Sequence, residues 1–267
     1  EASGGLRFDT YRLRAGAHAR QLSPRASVRY LVTPNLAVRA SAGRGFRVPG
    51  VAERYVNDDS FLPLLSNVNL RPETSAGGEF GVRYETSASA DSRLGVDLAV
   101  FHSAYRDLVE PVFVSQGNRV GFQFVNLTQA TLSGIEARVE ARWRPVSGEI
   151  AWQGLRARDV DLDQPLVFRA PHLIQARMDV RLPAGLRAGA DLRLSSRPER
   201  VDTDFARFIP DADQMPATRV IDARLLWARR GLEASMYIRN LLDYYYAERP
   251  ALLAPPRTLG VQLRVLF

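Results

Sequence analysis

Thr258-Leu259-Gly260-Val261-Gln262-Leu263-Arg264-Val265-Leu266-Phe267, the carboxy-terminal stretch, decides the fold. Leu259, Val261, Leu263, Val265 and Phe267 stand at every second position, with Thr258, Gly260, Gln262 and Arg264 between them. Side chains alternate across a strand, so the stretch reads as a strand with one apolar and one polar face. The same alternation recurs upstream. Leu232, Ala234, Met236 and Ile238 oppose Glu233, Ser235, Tyr237 and Arg239, and Ile221, Ala223, Leu225 and Trp227 oppose Asp222 and Arg224. Further strands are predicted at 186–194, 174–182, 135–143, 94–100, 80–84, 36–40 and 26–30. Residues 149–158 and 6–14 alternate less cleanly, and in the latter the register is expected to slip between Phe8 and Tyr11. The count is about twelve strands with no convincing helix.

Connections alternate in length. Short turns fall at Thr33-Pro34-Asn35, Thr86 to Asp91, Arg144 to Gly148, Pro183-Ala184-Gly185 and Arg229-Arg230-Gly231; long connections fall at 46–73, 106–130, 159–170, 197–216 and 241–256. A meander of this kind gathers its turns at one end and its loops at the other, the layout of an all-β, antiparallel, up-and-down transmembrane β-barrel. Tyr30, Tyr84, Trp143, Trp227 and Phe267 close the apolar face at the short-turn end, as an aromatic girdle at a membrane interface does. A soluble sandwich, in which a second sheet would cover the apolar face, is the competing architecture. The 267 residues hold no cysteine, which removes disulfides, redox pairs and thiolate metal sites, and no apolar run approaches the length of a membrane-spanning helix. The net charge of +7 comes from arginine without lysine; this is weak ground for nucleic acid, and no nucleic-acid partner is expected. No apolar signal segment follows Glu1, so the chain is expected to begin mid-protein or after processing.

Four ordered blocks resemble the TonB-dependent outer-membrane receptors. Ile238-Arg239-Asn240-Leu241-Leu242-Asp243-Tyr244, followed by Pro256-Arg257-Thr258 and the run to Phe267, is similar to that family's closing signature. Gly43-Arg44-Gly45-Phe46-Arg47-Val48-Pro49 with Glu53 and Tyr55, Asn69-Leu70-Arg71-Pro72-Glu73 with Glu79 and Gly81, and Asn126 with Gly134-Ile135-Glu136 resemble three upstream blocks in the same order. The resemblance implies a 22-stranded barrel around an amino-terminal plug. On that reading residues 1–267 are the C-terminal part of the barrel domain, an open half of about twelve strands, with the plug and the first strands absent. It further implies an outer-membrane location of the Gram-negative type and uptake of a scarce ligand such as a ferric siderophore or cobalamin. The partners it implies are outer-membrane lipid, the metal-chelate or vitamin ligand, the TonB energy-transducing complex acting through the missing amino-terminal region, and the outer-membrane assembly machinery. A non-transporting pore or adhesin-like barrel is the alternative. Asn240, Asp243, Arg257, Thr258 and Phe267 carry the signature, and Phe267 is expected to act in assembly. An open sheet is expected, with 6–14 and 257–267 as its unpaired edges.

Candidate ligand contacts lie in the long connections. Arg47, Tyr55, Arg106, Arg119, Phe122, Arg169, Tyr244 and Tyr245 supply charge and aromatic surface for an anionic, partly aromatic chelate. Phe61, Phe168, Phe205 and Arg207 have the same character. No cofactor or resident metal is expected: Asp159, Asp161 and Asp163 have calcium-loop spacing, but Gln164 and Ala170 stand where the glycine and the bidentate glutamate belong. Asp202, Asp204, Asp211 and Asp213 read as solvated loop charge. Gly43-Arg44-Gly45 lacks the third glycine and the following helix of a phosphate loop. An enzyme of the outer-membrane phospholipase type would need histidine and serine on one face; His102 and Ser103 are adjacent and point to opposite faces, so no catalytic residue is expected.

Overall fold

A computed structural model describes residues 1–12, 18–58, 63–89, 91–117, 119–204, 215–249 and 252–265. In chain order the elements are β1 (Ala2–Arg12), β2 (His18–Thr33), β3 (Leu36–Arg47), a helix α1 (Val51–Tyr55), β4 (Leu64–Leu65), β5 (Glu73–Ser89), β6 (Ser92–Gln116), β7 (Arg119–Trp143) and β8 (Val146–Asp159). There follow β9 (Gln164–Pro165), β10 (His172–Arg181), β11 (Leu186–Ser195), β12 (Thr218–Arg229), β13 (Leu232–Arg239), β14 (Ala247–Arg249), β15 (Leu252–Leu253) and β16 (Thr258–Val265). Twelve of them lie side by side in the order β1-β2-β3-β5-β6-β7-β8-β10-β11-β12-β13-β16, each antiparallel to the next. They coincide with the twelve alternating segments of the sequence. Among the described residues no ladder joins β1 to β16, so the sheet is open with those strands at its edges.

Three expectations need correction. The segment 106–130 is not a loop: β6 and β7 run on through it in one register, from Ser92↔Trp143 to Gln116↔Arg119. Both faces of that distal ribbon are covered, Val109 and Glu110 being buried as neighbours, so no alternation marks it in the sequence. The register of β1 does not slip; it pairs with β2 without a shift from Ala2↔Val28 to Arg12↔His18, and Tyr11 simply falls on the charged face. One short helix, α1, does form.

The two faces of the sheet differ completely. On the apolar face Leu98 is 51% exposed, Ile150 57% and Leu263 71%, and no second sheet lies over them among the described residues. A soluble sandwich would bury those side chains, so that architecture is excluded. Tyr30, Tyr84 and Trp143 are exposed at the short-turn end, and the Trp227 indole donates to the Ala184 carbonyl at 3.1 Å. Phe267 lies outside the described residues.

On the opposite face arginines and carboxylates interlock across strands. Arg39 donates to both oxygens of Asp97 at 2.8 Å and to Glu79 at 3.0 Å. Arg177 meets Asp191, its direct cross-strand partner, at 2.6 Å. Arg224 donates to both oxygens of Asp179 at 2.8 Å and also to Asp191, lying flat over Gly189 to reach a strand beyond its neighbour. A Cβ on Gly189 would stand 2.7 Å from Arg224 Cζ and from Asp179 Oδ1, so the glycine is the gap through which the guanidinium passes. Gly95, on the same face, has no atom closer than 3.9 Å to its Cβ position.

Gly189→Ala is therefore expected to destabilise the assembled protein by about 1–3 kcal/mol through overpacking, and Gly95→Ala to leave it unchanged or slightly firmer. Denaturant unfolding of the two variants in detergent reads the difference; equal midpoints would refute the gap.

Candidate functional site

The distal ribbon of β6 and β7 is the platform of the long-loop end, and the segment 48–72 is fastened to it by polar side chains. β4 pairs in parallel with Phe122–Gln123, the Phe122 N–H donates to the Pro63 carbonyl at 2.8 Å, and Gln123 Nε2 donates to the Ser66 carbonyl at 2.9 Å. Asn67 Nδ2 reaches the Phe124 carbonyl at 2.8 Å. Asn126 accepts from the Arg71 N–H at 2.8 Å and donates to the carbonyls of Arg71 and Asp107. Arg71 in turn grips the Asp107 carboxylate, whose residue holds a left-handed backbone with φ 58°. Asparagine and aspartate tolerate that conformation better than other side chains.

Arg47 is consumed within this fastening. It pairs with Glu53 at 2.9 Å and with Glu73, its cross-strand partner, and Glu73 also accepts the Val109 N–H at 2.9 Å. The hydrogen bond that Arg47 donates to Glu73 first, and that to Glu53 after it, hold the Arg47 pKa above its ordinary value against the opposing effect of burial. Glu53 additionally accepts the Gly50 N–H at 2.6 Å and so starts α1. Within α1 the Arg54 guanidinium is buried, donates to the Val68 carbonyl and lies over the Tyr55 ring, and its Nε and Nη1 have no hydrogen-bond partner among the described residues. Tyr55 beside it is 43% exposed.

Phe122 packs with Leu64, Phe113 and Phe168, edge-on to Phe113 at 5.5 Å between ring centres. Arg169 pairs with the buried Glu110 and donates to the Val167 carbonyl at 3.3 Å. Phe122 and Arg169 thus tie the connection after β8 to the ribbon. Arg119 stands exposed at the ribbon's tip. Arg106 is also exposed, but shares the apolar face with Leu98 and Val100. Phe61, Phe205 and Arg207 lie outside the described residues.

The carboxylates with calcium spacing are spent on turns. Asp159 Oδ1 accepts the N–H groups of Asp161 and Leu162 at 3.0 and 3.1 Å, Asp161 accepts the Gln129 N–H, and Asp163 pairs with Arg158 at 2.8 Å. Asp202 accepts the Asp204 N–H at 3.0 Å; Asp211 and Asp213 lie outside the described residues. Among the described residues no group of three His, Asp or Glu side chains is placed to hold a metal.

After β13 the signature residues come together. Asn240, 4% exposed with φ 51°, accepts the Tyr244 N–H at 2.9 Å and donates to the carbonyls of Tyr244 and Pro255 at 3.0 and 3.3 Å; its own N–H goes to Asp222 at 2.7 Å. Asp243, also left-handed, accepts the Arg257 N–H at 2.8 Å, and Thr258 Oγ1 donates to the Pro256 carbonyl. Two of three consecutive tyrosines are pinned inward: Tyr244 to the Ala217 carbonyl at 2.7 Å, Tyr246 beneath Arg193 at 2.7 Å. Tyr245 between them is 78% exposed. Arg193, Tyr246, Arg177, Asp222 and Arg239 line a hollow of about 490 Å³ on the charged face.

Sequence reasoning missed Glu73 and Glu110 as buried anchors, although Glu73 closes one of the recognised blocks. It also looked for a histidine–serine pair within one strand. The pair exists between strands: His102 faces Ser133 of β7, Nδ1 to Oγ 2.8 Å, on the apolar face. No carboxylate orients the ring among the described residues, so a catalytic triad is not assembled.

Asn240→Ala removes three side-chain bonds and places a Cβ-bearing residue without compensating contacts at positive φ. The expected loss is roughly 2–4 kcal/mol, felt as protease cleavage within 241–257 in otherwise assembled protein; cleavage no faster than in the parent would refute the role.

Residues 1–241 match the family described as TonB dependent receptor-like, beta-barrel. The heme/hemopexin utilization protein C of Haemophilus influenzae (strain 86-028NP) is 24% identical over 244 residues, 84% of this chain and 34% of that protein. The copper transporter OprC superposes with a TM-score of 0.74 at 15% identity, covering 94% of this chain and 40% of OprC. A mutant of the ferric enterobactin receptor PfeA from Pseudomonas aeruginosa superposes with a TM-score of 0.70 at 16% identity, covering 100% of this chain and 42% of PfeA. The chain thus spans about a third to two fifths of these relatives, and the match over most of its length places it in the TonB-dependent receptor-like β-barrel family.

Proposed function

We propose that this chain is the C-terminal part of the barrel of an outer-membrane receptor for TonB-dependent uptake of a scarce, anionic ligand, a ferric siderophore, heme or cobalamin. Family membership supports the receptor class, and the relatives named for heme utilization and ferric enterobactin support the ligand class. The observation that carries the reading further is the division of labour in the long loops. Arg47, Phe122, Arg169 and Tyr244 are engaged in holding the loops, whereas Tyr245 leaves its ring open to solvent and Tyr55, with the Arg54 guanidinium 5.2 Å from its ring centre, stays 43% exposed. Tyr55, Tyr245 and Arg119 are the residues assigned here to ligand contact, by stacking and by charge.

In this reading the apolar face meets outer-membrane lipid, the TonB complex acts on a region outside this chain, and Phe267 ends the strand that the assembly machinery recognises. The interlocked charges of the opposite face line the lumen. No step of chemistry is required of the wall; its work is to hold a wet passage in which arginines such as Arg39, Arg177 and Arg224 are already paired with carboxylates.

In a strain lacking its own copy, the complete receptor is expected to take up one member of a panel of labelled chelates (catecholate, hydroxamate, heme, cobalamin) only when TonB is present. Tyr55→Ala and Tyr245→Ala should each raise the half-saturating concentration about 5- to 10-fold, the worth of one aromatic contact at roughly 1 kcal/mol, with normal surface display. Uptake that persists without TonB, or free passage of unrelated solutes, would favour a non-transporting pore.

A further inference from the structure

Two crossings on the charged face share one design. Arg39 of β3 lies over Gly81, its direct opposite on β5, and binds Asp97 of β6. Arg224 of β12 lies over Gly189, its direct opposite on β11, and binds Asp179 of β10. In each case an arginine faces a glycine across one ladder and takes a carboxylate from the strand beyond. That carboxylate stands opposite the glycine in one crossing, Gly189↔Asp179, and two residues from that place in the other, where Gly81 faces Ala99.

The same arrangement occurs a third time, at the edge of the sheet. Arg25 of β2 stands between Gly5 of β1 and Gly43 of β3. Its stem leans over Gly5: a Cβ there would stand 3.1 Å from Arg25 Nε and 3.5 Å from Arg25 Cγ, whereas the atoms nearest a Cβ on Gly43 are Arg25 Cβ, the Pro24 carbonyl oxygen and Arg25 Cα. The guanidinium is thus turned toward β1, and beyond β1 no strand lies among the described residues. Carboxylates within the chain do not answer it. Residues 1–47 hold nine arginines and two carboxylates, Glu1 and Asp9. Asp9 pairs with Arg7 at 2.8 Å and Glu1 stands 3.9 Å from Arg29. Asp9 is also four residues along β1 from Gly5, about 13 Å at the rise of a strand. The other edge, β16, has no carboxylate to offer. Its charged face presents Thr258, Gly260, Gln262 and Arg264, and the gap at Gly260 is filled by the Tyr237 ring, with Arg239 5.1 Å from the ring centre.

We propose that the β1 edge is a docking seam keyed by Arg25. It takes an antiparallel strand of the complete receptor that carries an aspartate or glutamate on its charged face, opposite Gly5 or two residues from that place. The proposal rests on the reading that further wall strands lie outside this chain. Backbone bonds alone fit a strand at any register, because every residue other than proline offers the same N–H and C=O. A guanidinium behind a one-glycine gap is selective. A slip of one residue in the incoming strand turns its carboxylate to the apolar face and leaves Arg25 unpaired. Arginine suits the place because its planar fork takes both oxygens of a carboxylate, as Arg39 and Arg224 do. Arg25 is on this account a positioning residue of the wall.

The test uses the complete receptor. Its structure identifies the strand on the β1 edge, and a carboxylate is expected on that strand opposite Gly5 or two residues to either side. Arg25→Met, which keeps the stem over Gly5, and the amide variant of that carboxylate are each expected to raise the denaturant unfolding constant in detergent about 3- to 5-fold. The double variant should be no worse than either single one, as for two residues acting through one bond. Should a single variant fail to assemble, exchange of the charges, Arg25→Glu with the carboxylate replaced by arginine, is expected to restore assembly; no recovery overturns the seam. A flanking strand without aspartate or glutamate at those positions, or single losses that simply add, overturns Arg25 as the key and leaves the receptor reading intact. A ladder from β1 to β16 in the complete protein overturns both.

Discussion

Hydrocarbon offers a backbone no water, so every N–H and C=O in the membrane-facing wall has to be satisfied sideways by the neighbouring strand. That constraint accounts for the unbroken ladders. β6 and β7 keep one register from Ser92↔Trp143 to Gln116↔Arg119, and β7 with β8 from Trp143↔Val146 to Ala130↔Asp159. A slip of one residue would exchange lipid-facing and water-facing side chains along a whole strand. Fixed register keeps the faces distinct, and distinct faces allow leucine and arginine to alternate without conflict.

Once the faces are fixed, the charged one has its own problem. Carboxylates and guanidiniums arriving every second residue from twelve strands have to meet partners of opposite sign without bulging the wall. Direct cross-strand pairs such as Arg177 with Asp191 solve part of it. Arg39 over Gly81 and Arg224 over Gly189 reach further carboxylates by crossing a strand that presents no side chain. Gly81 and Gly189 are therefore spaces reserved for neighbours, and each crossing ties three strands together.

What the sequence made legible follows from how each region is covered. Where the two faces meet different surroundings alternation is visible, clean in ten wall strands and weaker in 6–14 and 149–158, and all twelve were readable; the openness of the sheet was expected from the family resemblance. Beyond Arg106 the ribbon is no longer bare on one face: Leu64 and Phe168 pack on Phe122, Arg169 pairs with Glu110, and Val109 and Glu110 are both buried, so period two disappears. Pro111 within the strand further masked it. Arg119 and Gly117, with φ 59°, marked the turn at its tip, but only in hindsight of the pairing.

The loop residues show a different limit. Motif blocks identified Asn240, Asp243, Asn126 and Glu73 without saying what they do, because their work is to satisfy backbone groups far away in sequence: Asn126 to Arg71, Glu73 to Val109, Asn240 to Pro255. Bonds of this kind anchor loops to the wall and are silent about ligand. Specificity falls to side chains left over after anchoring, and Tyr244 and Tyr245 show why composition alone cannot sort them. The two are adjacent and chemically identical, yet one hydroxyl is spent on the Ala217 carbonyl while the other ring stands in solvent. The left-handed turn at Asn240 and Asp243 stands just before them, with Asn240 holding the Tyr244 N–H and Asp243 the Arg257 N–H.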